Sequence, residues 1–293
     1  MAAPLRASAV TPLAVVILVV APAAAWLGFV ALLWWQQDRM IFPGWGFGAV
    51  QASGLGAGDE RLELLAPDGV RLVGGLHRAI GPSRGLVLLF GGNAEDVDAR
   101  LRAVGAYLHD VDLVTFFYRG YGPSDGRPSE AGLVADAVLI HDRMVELLQP
   151  ARVIAVGFSL GSGVAAQLAR ARPLGGAILV TPFDSILALA SGRYPFVPVP
   201  WLLHHPFRSD LALAGLALPV AVIAAEQDGI VPPPHTCRLI AELAHPVLVA
   251  WIRDADHVSI YDRPAYREAL TAALDRLLAT LPGDTIPSTC RRS

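Results

Sequence analysis

The stretch that most constrains this chain is Gly157-Phe158-Ser159-Leu160-Gly161. An apolar run, Arg152-Val153-Ile154-Ala155-Val156, precedes it, and the small-residue, helix-forming segment Ser162 to Ala169 follows. Strand, Gly-x-Ser-x-Gly, helix is the order of a nucleophile elbow. The serine backbone in such a turn is strained, and glycine at positions 157 and 161 keeps side chains out of the neighbouring strand and helix. The helix that follows would aim free amides and its positive dipole end at Ser159 Oγ, where an anionic tetrahedral intermediate can be held. A pentapeptide of common residues also arises by chance, so the reading depends on the partners this serine would need.

A serine hydroxyl needs a base, and the base needs an orienting acid. On an elbow of this kind the acid and then the histidine follow the serine in the chain. Three histidines come after a plausible acid: His235, His245 and His257. His235 opens a helix behind three prolines, and His245 precedes Pro246 at the start of a strand. His257 lies in Asp254-Ala255-Asp256-His257-Val258, just after the expected last strand, Val247 to Ile252, which is where the base belongs. The apolar strand Val220 to Ala225 ends in Glu226-Gln227-Asp228-Gly229-Ile230-Val231-Pro232. Asp228 is preferred to Glu226 because Gly229 supplies a turn that can point its carboxylate at the base. Asp254 and Asp256 read as turn formers or caps.

The rest of the chain supplies a sheet for these loops. Arg61 to Leu65 and Val70 to His77, joined by Pro67-Asp68-Gly69, predict a hairpin. Gly85 to Phe90 is a continuous apolar run of the kind buried on both faces, and Val111 to Phe117 predicts another strand. Between them, Gly91-Gly92-Asn93-Ala94-Glu95-Asp96 leads into a helix, with glycines that allow close backbone approach to a substrate oxygen. Arg119, in the loop Tyr118 to Pro128, is expected to pin a glycine-rich turn. A helix over Ser129 to Leu148 and a strand over Gly176 to Val180 frame the elbow unit. The apolar, proline-rich stretch 186–216 reads as a lid over the Ser159 side of the sheet, or as an extra packed helix pair.

At the other end, no charged side chain occurs between Arg6 and Asp38, and residues 13–35 are almost wholly apolar. That length spans a bilayer as a helix, with Pro22 a slight kink and Trp26, Trp34 and Trp35 suited to the interface. Ala23-Ala24-Ala25 offers the competing reading of a cleaved signal peptide, but the apolar run continues to Trp35. Counting basic residues, Arg6 and the free amine against Arg39, favours an inside N-terminus with the catalytic domain outside. The expected layout is a tail and anchor over 1–36, a glycine-rich membrane-proximal linker over 37–60, a domain over 61–282, and a C-terminal tail over 283–293.

A net charge of −3 without a basic run argues against a nucleic-acid partner. All 23 basic residues are arginine, which removes lysine Schiff-base chemistry. Cys237 and Cys290 are too few for a disulfide framework and too far apart for a metal motif, and His204 and His205 read as surface or packing residues. No metal or organic cofactor is expected.

These motifs together resemble the α/β-hydrolase superfamily, in particular its single-span membrane-anchored branch related to the α/β-hydrolase-domain depalmitoylases and lysophospholipases. The resemblance rests on the elbow, the Tyr118 to Pro128 loop, Thr181-Pro182-Phe183 with Ser185, the Asp228 to Pro232 segment and His257. It implies an α/β fold with a mostly parallel central sheet, helices on both faces and a small lid. It also implies Ser159 as nucleophile, His257 as base, Asp228 as acid, and the Leu160 and Asn93 amides as oxyanion donors. The expected activity is hydrolysis of an acyl ester or thioester, with a small-molecule or lipid substrate. An amide hydrolase and a non-catalytic binding protein of the same fold remain the alternatives. The usual His-Gly-Asn-Ala-Gly-Asn loop of that branch reads Gly91-Gly92-Asn93-Ala94-Glu95-Asp96 here, which bears on substrate range.

Overall fold

A computed structural model describes residues 12–46 and 51–279 of the chain. The tail with Arg6, part of the glycine-rich linker and the 283–293 tail therefore lie outside the described residues. The chain divides at Gln37/Asp38 into two compact units.

The first unit carries most of α1 (Pro12–Ile41), a 30-residue helix that runs through Pro22. Its Leu18–Ile41 stretch, 24 residues of mean hydropathy 1.9, is long and apolar enough to cross a membrane. Leu18, Leu27 and Trp35 are 71, 60 and 66 % exposed. Side chains of that kind on a helix without a covering core are what a lipid environment accommodates.

The second unit is an eight-stranded sheet in the order β1-β2-β4-β3-β5-β6-β7-β8. A short helix α2 (Pro43–Gly46) precedes β1 (Glu60–Leu65) and β2 (Arg71–His77), which pair antiparallel as the hairpin signal predicts. Gly69, at φ +84°, makes the turn between them. β2 also runs antiparallel to β4 (Asp112–Phe116). From there β3 (Leu86–Phe90), β5 (Val153–Phe158), β6 (Gly176–Val180), β7 (Pro219–Ala225) and β8 (His245–Ile252) are all parallel to their neighbours.

Every residue of β3, β5 and β6 is buried, which explains why these runs show no polar alternation in sequence. Successive side chains go to opposite faces. Leu86, Leu88 and Phe90 join one core with α4 (Glu130–Leu148), α5 (Leu160–Ala171) and α9 (Pro233–Glu242). Val87 and Leu89 join the other core with α3 (Val97–Gly105) and α10 (Pro264–Ala279). Ser129 caps α4 by accepting the Gly132 N–H, as a residue of that type preceding a helix should.

Between β6 and β7 the stretch expected as a lid forms three short helices, α6 (Ile186–Arg193), α7 (Val199–Leu202) and α8 (Ser209–Leu213). The segment following α1 contributes more than a connection. Phe42 is fully buried in the first core and meets Phe207 edge-on at 6.3 Å. A Cβ on Gly44 would come within 2.7 Å of the Tyr121 ring, so α2 packs directly on the Tyr118 to Pro128 loop. Glycine-rich composition gave no period from which this packing could be read.

Candidate active site

β5 delivers the chain into the elbow with Ser159 at φ +49°, ψ −113°, a conformation that costs a non-glycine residue of order 1–3 kcal/mol. The glycines explain themselves sterically. A Cβ on Gly157 would sit 2.3 Å from Gly161 O, and one on Gly161 would sit 2.1 Å from Phe90 O. Both obstacles are backbone and cannot move aside. The Ser159 amide donates to Val180 O at 2.9 Å, which ties the strained residue to β6.

His257 stands over this serine, its Nε2 2.8 Å from Ser159 Oγ and its Nδ1 2.7 Å from Asp228 Oδ2. The three residues expected to act together are brought into one hydrogen-bonded line. Asp228 is 6 % exposed, and its other oxygen, Oδ1, accepts the Ile230 and Val231 amides at 2.9 and 2.7 Å. Those donors fix the direction of the carboxylate, so the imidazole presents Nδ1–H to it and turns the Nε2 lone pair toward Ser159. Asp256 is the turn former its position suggested: its carboxylate accepts the Val258 and Ser259 amides at 2.9 and 2.8 Å, just ahead of the 3-10 turn Ser259–Asp262. Glu226 is exposed, and it is Asp228 that meets His257 Nδ1.

The two amides expected to stabilise an oxyanion lie at the open end of this line. The Leu160 amide is the first of α5, and the Asn93 amide belongs to the loop after β3. Neither has a hydrogen-bond acceptor among the described residues. A Cβ on Gly92 would lie 3.8 Å from Ser159 Cβ, so this loop borders the serine directly. Its shape is fixed from several sides. Ala94 is at φ +57°, Tyr118 donates its hydroxyl to Gly91 O at 2.8 Å, and the Asn93 side chain bridges Ile41 O at 2.6 Å and the Tyr121 hydroxyl at 2.7 Å.

The two acids that distinguish this loop have structural partners. Asp96 is the N-cap of α3 and accepts from the Asp98 and Ala99 amides. Glu95 Oε2 accepts the Gly92 amide at 2.5 Å, and Glu95 Oε1 is gripped by Arg100 through Nε at 2.5 Å and through Nη2. Arg100 in turn stacks over Phe158 at 4.5 Å and Tyr261 at 4.1 Å. Burial opposes the Arg100 charge, but the Glu95 carboxylate outweighs it and raises the guanidinium pKa. Glu95 thus lines the cleft with both carboxylate oxygens engaged, one by the Gly92 amide and the other by Arg100. Arg119 also stays out of the site: it is 9 % exposed and bidentate to Asp136 at 2.6 and 2.7 Å, with Asp68 at 2.8 Å.

Above these groups opens a cleft of about 1180 Å³. Lid residues Ile186, Leu189, Ala190 and Tyr194 line one wall, Ile230 and Val231 another, and Met40 and Ile41 a third. Met40, Ile41, Arg100, Tyr261 and His235 were not expected at the site. Their proximity comes from long-range packing, and only the apolar character of the lid was legible beforehand.

Among the described residues one group could present three metal donors, namely Asp38, His204 and His205, with donor atoms within 4.8 Å of one another. Its hydrogen bonding argues otherwise. His205 Nδ1 accepts the Glu130 amide at 3.3 Å, which puts the ring proton on Nε2, 3.4 Å from Asp38 Oδ1. That nitrogen offers a donor and no lone pair, and Arg127 takes the other Asp38 oxygen at 2.7 Å. His205 also packs edge-on against Phe42 at 5.2 Å.

No family model matches the chain. A protein of Mycobacterium tuberculosis is 37% identical over 224 residues, 75% of this chain and 79% of that protein. Alpha/beta hydrolase domain-containing protein WAV2 of Arabidopsis thaliana is 30% identical over 205 residues, 63% of this chain and 67% of its own length. Lysophosphatidylserine lipase ABHD12 of Danio rerio is 33% identical over 138 residues, 41% of this chain and 36% of that protein. An uncharacterised membrane protein of Saccharomyces cerevisiae is 29% identical over 223 residues, 72% of this chain and 78% of its own. Among solved structures, the Pyrococcus furiosus esterase Pf2001 superposes with a TM-score of 0.60 at 19% identity, covering 74% of this chain and 90% of that one. That last likeness is one of fold.

Proposed function

Because the chain belongs to the α/β-hydrolase family, we propose that it is a membrane-anchored serine hydrolase that cleaves a carboxylic ester or thioester of an apolar acyl chain. The observation that carries this reading is the line Asp228–His257–Ser159, bonded at 2.7 and 2.8 Å on the floor of an apolar cleft. Ser159 Oγ attacks the acyl carbonyl carbon while His257 Nε2 takes its proton. The carbonyl oxygen becomes an oxyanion held by the Leu160 and Asn93 amides, each worth about 10²–10³ in rate at comparable sites. The Asp228 carboxylate orients His257 and stabilises the imidazolium. His257 then protonates the leaving oxygen or sulfur, and the acyl group remains on Ser159. Water enters, loses a proton to His257, and releases the acid by the same steps reversed. The chemistry needs no metal or organic cofactor.

Apolar walls from the lid, roughly 186–216, favour an acyl chain over a peptide backbone, and lipase relatives fit a lipid ester. The apolar helix and a relative named as a membrane protein support anchoring through residues 13–35. The proposed orientation, N-terminus inside and domain outside, rests on the count of basic residues alone. Fluorophosphonate labelling of detergent-solubilised protein tests the reading. Wild type labels, and Ser159→Ala and His257→Ala do not. Folded wild-type protein that fails to label would instead point to a non-catalytic binding role.

A further inference from the structure

The cleft contains a second histidine backed by a buried carboxylate, outside the Ser159 line. His235, in the first turn of α9, lines the same cavity as Ser159 and His257. Its Nδ1 lies 2.7 Å from Asp184 Oδ1. Asp184 is 4 % exposed and fully engaged: Oδ1 also accepts the Ser185 amide at 2.8 Å, and Oδ2 accepts Arg238 Nε at 2.6 Å. Arg238 Nη2 also stands 2.7 Å from His235 Nδ1. Arg238 only donates and would need a lone pair on Nδ1, whereas the carboxylate needs a proton there; the buried carboxylate is the stronger partner, so Nδ1–H donates to Asp184.

This assignment leaves Nε2 with a lone pair and no acceptor or donor among the described residues. Nε2 is not one of the sealed, unsatisfied atoms of the interior, unlike His77 Nε2 or His245 Nδ1. With the side chain 13 % exposed and the ring lining the cleft, the accessible edge is the one that meets substrate. The wall around it, Phe183, Ile186, Ile230 and Val231, is apolar. A single oriented acceptor in such a wall reads a hydroxyl, because a hydroxyl that finds a partner there is favoured over a group that does not. The side of the reaction follows from connectivity. The helix that carries His235, α9, follows directly on the segment of Asp228, which backs His257, and the leaving group departs toward His257.

We infer that His235, oriented by Asp184, is a specificity-determining residue that accepts a hydrogen bond from a free hydroxyl on the leaving alcohol, as on a glyceryl ester. The inference rests on the serine-hydrolase reading above. Thr236 Oγ1 donates to Pro182 O at 2.8 Å, which ties the start of α9 to the loop after β6 and holds His235 in place.

The test compares glyceryl and ethyl monoesters of one acyl chain on the full-length protein in detergent, for wild type, His235→Phe and His235→Gln. Fluorophosphonate labelling and the thermal midpoint are followed in parallel. Loss of one hydrogen bond raises KM for the glyceryl ester about tenfold in His235→Phe. Its kcat, the ethyl-ester KM and the labelling rate stay within about twofold, and His235→Gln recovers part of the loss. Should His235→Phe not fold, His235→Gln and the wild-type preference for glyceryl over ethyl ester decide the matter. Parallel losses on both esters, or no change on either, would overturn the inference while leaving the labelling result intact. Wild type that does not label would overturn the hydrolase reading and this inference with it.

Discussion

Glu95 gives the sharpest test of how the proposed oxyanion loop is built. Glu95→Ala removes the acceptor of the Gly92 amide and the counter-charge of Arg100 together. The larger cost is the stranded guanidinium, only 12 % exposed, because breaking one side of a buried pair typically costs about 3–5 kcal/mol. Partial exposure and the stacking on Phe158 and Tyr261 put the expected loss at the lower end, about 3 kcal/mol. For a domain of this size that corresponds to about 6–12 °C in thermal midpoint. The catalytic effect is separate. Removing an oxyanion donor outright costs about 10²–10³ in kcat, and a donor merely unpinned should cost about 10–100-fold. Glu95→Gln separates the two, since its amide oxygen can still accept from Gly92 but carries no charge. It should lose stability like Glu95→Ala yet keep kcat within a few-fold of wild type. Ester turnover and thermal unfolding of both variants suffice. Wild-type kcat in Glu95→Ala, or equal kcat losses in the two variants, would refute the loop-pinning argument.

Other outcomes follow from the same geometry. Asp228→Asn should leave the fold intact and lower kcat about 10⁴-fold, because the amide favours the wrong imidazole tautomer; ester hydrolysis at pH 7 measures it. Gly161→Ala places a methyl against Phe90 O, and should abolish fluorophosphonate labelling through displacement of the elbow even where folded protein is recovered. Phe42→Ala should destabilise the second unit by about 3–5 kcal/mol, read by thermal unfolding, as expected for an aromatic with no exposed surface. Burial raises the Glu130 pKa above the usual carboxylate range, against the Phe207 amide that lowers it. Ionisation of Glu130 therefore opposes folding, so Glu130→Gln should raise the thermal midpoint at neutral pH, with the gain shrinking to nothing below the ordinary carboxylate pKa. A gain that persists at about pH 3 would contradict that assignment.

Much of this arrangement was legible in the chain because it is written locally. An elbow needs two glycines around a serine, and the strands at the sheet centre need unbroken apolar runs. The positions of Asp228 and His257 just past strand ends follow from strand boundaries, which β7 and β8 reproduce closely. Features that depend on distant pairing left no such trace. His235 could be placed at a helix start, but its cleft position depends on Asp184, 51 residues away. Glu95 announced itself as a departure from the familiar loop, and its meaning emerged only with Arg100 and the Gly92 amide beside it. Phe42 had the opposite difficulty: glycine-rich surroundings suggested a linker, while the residue itself fills the core.

The contact between Gly161 and Phe90 O has a consequence for how the site keeps its dimensions. β3 abuts the first turn of α5 through that contact, and the same strand runs on into Gly91-Gly92-Asn93. The proposed nucleophile and both proposed oxyanion amides are thus referenced to one backbone datum, as parts are gauged from a single machined face. Errors elsewhere, in lid length or in the β7–α9 connection, do not accumulate across the distance between Ser159 Oγ and those amides. The lid can therefore drift in sequence and reshape the acyl site while the attack geometry stays calibrated.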